Sequence, residues 1–124
     1  MNLHPFLAER IAADCAEALA CPPRLTQDAL ILDLNNDVAL TVRYAAADAY
    51  SLRWRSGPDP AGVELGIDTA PTHPALATVP NHFHRADGSV VADPVTRTDA
   101  RPEDNLRRLV AALLHDPQLG GGGQ

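Results

Sequence analysis

The stretch "DALILDLNNDVALTVRYAA", residues 28–46, decides the fold. Leu30, Leu32 and Leu34 alternate with other residues, and Val38, Leu40, Val42 and Tyr44 do so again after "NND". A period of two puts each set on one face of a strand. A short polar turn between two such runs predicts a β-hairpin, so the domain is built on an antiparallel sheet with one apolar face. The pattern continues outward. "AYSLRWRS" (49–56) is a third strand, with Tyr50, Leu52 and Trp54 opposite Ser51, Arg53 and Arg55. "GPDPAG" is a turn, and "VELGID" (63–68) is a fourth strand. "HFHRADGSVVAD" (82–93) predicts a further hairpin around Asp87-Gly88.

Helices flank the strands. Residues 5–20 read as a helix with Pro5 at the first helical position. Its apolar stripe is Leu7, Ile11, Cys15, Ala18 and Leu19, and "CPPR" stops it. In "DARPEDNLRRLVAALLHD" (99–116), Leu106, Leu109, Val110, Leu113 and Leu114 recur at helical spacing. Asp99 is the expected cap, and Glu103 and Asp104 lie near the positive end. The expected fold is α+β: a single domain with a mostly antiparallel sheet and the N- and C-terminal helices packed on one face. The domain is expected over 1–118, with 119–124 a flexible Gly-rich tail.

The chain has 124 residues, a net charge of −6 and no lysine. Its acidity argues against a protein that coats nucleic acid, but a local basic face is compatible with it. Every cation is a planar arginine fork suited to carboxylate or phosphate, and no lysine nucleophile exists. Cys15 and Cys21 fit neither a disulfide framework nor a metal knuckle. They read as reduced, buried, small residues of a cytoplasmic protein. No apolar run approaches a membrane span, and "MNLHPFLAER" does not read as a signal peptide.

The sheet face away from the helices should carry Arg43, Ser51, Arg53, Arg55, Glu64 and Asp68. Two readings stay open: a solvated face of cross-strand ion pairs, or an arginine platform for phosphates. Beside it lies "DTAPTHPALATVPNHFHRADGS" (68–89), with three of the five histidines: His73, His82 and His84. His82 and His84, two apart, share one face of a strand. With Asp68 and His73 they could ligate a metal ion. As general base and general acid they could cleave RNA without one, Asp68 orienting an imidazole and Arg85 with the facing arginines stabilising the phosphate. Pro71, Pro74 and Pro80 also allow a purely structural, stiffened loop. There is no G-x-S-x-G, HExxH or phosphate-binding glycine loop.

The order "LTVRYAAADAYSLRWRS…VELGIDTAPTHPALATVPNHFHRADGSVV…RPEDNLRRLVAALL" resembles the TumE-like toxins of type II toxin–antitoxin systems, over roughly residues 28–115. In that resemblance Tyr50 and Trp54 match an aromatic strand, and Asp68, Pro71 and His73 match an R-x-D-N-x-P-H-H-like motif. Pro80, His82 and His84 match a later P-x-H-x-H. Gly66, Thr69 and Thr72 depart from it, standing where Arg, Asn and the first His are usual. The departures imply an attenuated or inactive relative, or Arg53 or Arg55 in the missing arginine's space.

The resemblance implies a cytoplasmic toxin paired with a helix-turn-helix antitoxin. The leading expectation is a metal-independent endoribonuclease without a cofactor. Its catalytic set is His82, His84, His73 and Asp68. Its substrate-binding set is Arg43, Arg53, Arg55, Arg85, Trp54 and Tyr50. RNA and the antitoxin are the expected partners, with no membrane; a sheet edge or the Ala-rich helix would serve a homodimer. The alternatives are a non-catalytic protein- or nucleic-acid-binding module and a metal-dependent nuclease on Asp68, His73, His82 and His84.

Overall fold

Alternating apolar and polar residues build a simple meander. The computed structural model describes residues 3–46, 49–56, 64–69, 82–85, 88–117 and 119. Among them are α1 (His4–Asp14), seven strands and α2 (Pro102–His115). The strands are β1 (Arg24–Leu25), β2 (Leu30–Asp33), β3 (Val38–Ala46), β4 (Ala49–Ser56), β5 (Glu64–Asp68), β6 (His82–His84) and β7 (Val90–Ala92). They form one sheet in chain order, each antiparallel to the next.

One register row runs Leu30–Val42–Leu52–Ile67–Phe83, and the next runs Leu32–Leu40–Trp54–Leu65. All nine residues are buried, and they form one core with Leu7 and Ile11 of α1 and Leu106, Leu109, Val110 and Leu113 of α2. Trp54 and Phe83 stack across β5 with ring centroids 6.0 Å apart. Both helices therefore cover one face of the sheet, and the other face is left to polar residues.

Two hairpins share one turn geometry. Leu34 N–H donates to Val38 O, and Asp37 N–H donates back to Leu34 O. Arg85 N–H donates to Ser89 O, and Gly88 N–H donates back to Arg85 O. The last turn residue takes the left-handed conformation in both, Asp37 at φ 68° and Gly88 at φ 88°. This is the three-residue hairpin loop, and Asp and Gly tolerate that conformation. The predicted second hairpin thus forms, with Asp87 itself outside the described residues.

Four details differ from the sequence reading. The first helix ends at Asp14, not at 20. A 3₁₀ turn (Ala16–Ala18) follows, because the chain is drawn onto the end of β2: Ala20 N–H donates to Asp33 O, and Asn35 N–H to Ala18 O. Tertiary pairing there overrides the helical preference of an Ala-rich run. Asp99 does not cap α2; Arg101 holds the N-cap position, and Asp99 accepts from Arg97 at 2.8 Å. Cys21 is exposed rather than buried. Its thiol donates to Asp33 Oδ2 at 3.4 Å, and that hydrogen bond pushes its pKa up. The short strand β1, paired to β2, was not expected from "CPPR".

Buried polar side chains tie the elements together. His4 Nε2 accepts from Tyr44 N–H at 3.0 Å, fixing α1 to β3. Asn105 Oδ1 accepts from Arg97 N–H and its Nδ2 donates to Arg97 O, fixing the β7–α2 connection to the helix. Tyr50 OH meets Thr96 Oγ1 at 2.8 Å.

Candidate functional site

Antiparallel register decides which polar residues meet. One row of the helix-free face reads Arg43–Ser51–Asp68–His82, and the next reads Thr41–Arg53–Gly66–His84. Arg55 and Glu64 follow in a third. The face predicted from alternation is therefore the face observed, and both histidines of β6 join it.

Asp68 is the hinge of this arrangement. His84 Nε2 lies 3.0 Å from Asp68 Oδ2, and Arg53 Nη2 lies 3.4 Å from the same oxygen. The Asp68 side chain is 12% exposed, against 31% for His84 and 42% for Arg53. A nearly covered carboxylate thus holds one edge of an imidazole while the ring stays open to solvent. A carboxylate in that place fixes ring orientation and favours the proton on the nitrogen facing it. His82 faces Asp68 across the β5–β6 pair but is only 1% exposed. Of the two rings, His84 is the one a ligand can reach.

The arginines are engaged with acids. Arg53 Nη1 lies 3.7 Å from Glu64 Oε1, and Arg55 Nε lies 3.7 Å from Glu64 Oε2. Arg43 approaches Asp28 at 4.0 Å. These are exposed pairs, each contributing about 0–1 kcal/mol. A phosphate can displace such partners at little cost. Arg85 is half-buried and opens the β6–β7 turn.

Trp54 and Tyr50 do not join the face. Both lie on the helix side, buried at 1% and 4% exposure, because strand alternation points them opposite to Arg53 and Ser51. Trp54 Nε1 donates to Pro117 O at 2.7 Å. They are core residues rather than stacking platforms for a base. His73, with Pro71, Thr72, Pro74 and Pro80, lies outside the described residues. So does any four-ligand metal set that includes it.

Thr69, one of the three departures, has a visible task. Tyr50 N–H donates to Thr69 Oγ1 at 3.1 Å, and Thr69 N–H donates to Tyr50 O at 3.2 Å. It extends the β4–β5 ladder one residue past Asp68. The sequence reading missed this anchor, and also His4 and Asn105; a lone buried polar residue carries no periodic signal. A cleft of about 550 Å³ opens elsewhere, between the end of α1, the 3₁₀ turn and α2. No helix among the described residues is long and apolar enough to cross a membrane.

Fold and face together define a small α+β protein whose helix-free sheet face carries ionisable side chains. The chain belongs to the TumE toxin family: the family described as Toxin TumE matches residues 11–116. It is thus the toxin component of a toxin–antitoxin system, and an antitoxin is its partner. No curated protein and no solved structure matches it.

Proposed function

We propose that this toxin cleaves RNA on its helix-free sheet face, with His84 as the proton-transfer group. The contact of His84 Nε2 with Asp68 Oδ2 at 3.0 Å carries the reading. Nε2 faces the carboxylate, and in this reading the other ring nitrogen, Nδ1, is the base. It takes the proton of a ribose 2′-hydroxyl as that oxygen attacks the adjacent phosphorus. The P–O5′ bond breaks, and the departing oxygen takes a proton from water. The products are a 2′,3′-cyclic phosphate and a 5′-hydroxyl, with no net redox change and no metal ion needed. Arg43 and Arg55 offer guanidinium groups to the phosphates on either side. A helix-turn-helix antitoxin would silence the toxin by covering this face, with acidic residues opposite the arginines.

The test is purified protein on RNA, with and without a chelator, beside growth on expression. The expected result is growth arrest and chelator-resistant cleavage, with His84→Gln slowed by about 10²–10⁴-fold, the usual worth of a general base. Pure protein that leaves RNA intact would overturn the reading, as would cleavage indifferent to His84→Gln. Growth arrest without cleavage would instead assign the face to binding alone.

A further inference from the structure

Gly66 sits in the register between Arg53 and His84. A glycine inside a strand is a local weakness, and it commonly marks a close approach by another group. Left-handed φ is not the reason here, since Gly88 is the only glycine with positive φ among the described residues. The reason is space. A Cβ at Gly66 would stand 3.2 Å from Arg53 Cγ, 3.6 Å from Arg53 Nη1 and 3.3 Å from the Leu52 carbonyl oxygen. The Arg53 side chain therefore lies across the glycine. From there its two terminal nitrogens reach along β5 in opposite directions, to Glu64 at 3.7 Å and to Asp68 at 3.4 Å. Glu64, Gly66 and Asp68 alternate on one face, so only a side chain lying flat over residue 66 can touch both its neighbours. The Asp68 oxygen it touches is the one that meets His84.

We infer that Gly66 is the seat of Arg53, and that Arg53 is a positioning residue: it fixes the Asp68 carboxylate for His84 rather than holding substrate phosphate. The inference rests on the His84–Asp68 pair as the working unit. It also explains why a guanidinium stays at this face although residue 66 is a glycine.

Three readouts test it, two of them independent of RNA. The first is the His84 ring N–H resonance in NMR. Wild type should show it protected from solvent exchange, and Arg53→Gln and Gly66→Ala should each lose it. The second is Tm. Gly66→Ala should be more favourable in an Arg53→Ala background than in wild type, because the added methyl then meets no side chain. The third is RNA cleavage. Arg53→Gln should lower kcat and leave KM unchanged, whereas loss of a phosphate contact would raise KM. A persistent ring resonance in both variants, equal Tm changes in the two backgrounds, or an effect on KM alone would each overturn the positioning role. If wild type cleaves no RNA, the proposed reaction falls while the first two readouts still decide the seat.

Discussion

At the scale of single residues, a short polar side chain does the most where it replaces backbone. Asn105 is fully buried and satisfies both the N–H and the C=O of Arg97. Its amide pairs with that peptide as a neighbouring strand would. Asn105→Ala removes both bonds; the Arg97 carbonyl keeps Ala100 N–H, but the Arg97 N–H loses its Asn105 acceptor, costing about 1–3 kcal/mol. A urea melt should therefore show a lower midpoint with an unchanged slope. Asp68 works by the opposite principle. It is covered, but it concentrates two charge-assisted contacts on one oxygen. Alternation alone does not separate Asp68 from Glu64, four residues earlier on the same face; Asp68 stood out in the sequence by its place beside the histidine-rich stretch. In the fold, the approach of β6 brings His84 to Asp68.

Among the elements, α1 is held to β3 by a contact that depends on pH. His4 Nε2 must be unprotonated to accept from Tyr44 N–H. Desolvation on burial lowers the His4 pKa from its ordinary 6.5, outweighing the nearby Asp28. The sign follows from linkage: a base with a depressed folded pKa binds more protons when unfolded. The stability it supports is complete above pH 6.5 and is lost as the pH falls below that value. From about pH 7.5 to about pH 5.5 the Tm of wild type should fall more than that of His4→Gln, whose side-chain oxygen still accepts the bond. Equal falls would show that His4 does not titrate in this window. The hairpins needed less from tertiary structure. "NND" and "ADG" end on residues that accept the left-handed conformation, so their turns could be read directly.

For the whole molecule, the decisive fact is that charge and fold pull apart. The chain carries −6 overall, while its helix-free face carries arginines whose carboxylate partners are exposed and weakly held. Any RNA affinity then comes from a few local contacts on an acidic body. Each phosphate held contributes about −0.7 to the slope of log K against log salt on a single strand. With Arg43 and Arg55 as the contacts, that slope should lie near about −1.4, and Arg55→Ala should reduce its size by about half. A steep slope, measured by titrating single-stranded RNA at several salt concentrations, would place the binding surface elsewhere.

The sequence by itself determined the antiparallel hairpins, the apolar face and both flanking helices. Those depend on periods of 2 and 3.6 that a chain must obey to bury its leucines, and residues 28–46 and 99–116 state them plainly. It also determined that Arg43, Arg53, Arg55, Glu64 and Asp68 share a face, because alternation alone requires it. Tertiary structure decided the rest. Packing around β6 left His84, not His82, exposed beside Asp68. The empty space over Gly66 let Arg53 cross between two carboxylates. The turn onto β2 ended α1 at Asp14. Each of these turns on which strand lies next to which, and at what offset. No local pattern carries that information, because it is fixed only when distant segments compete for the same hydrogen bonds and the same volume.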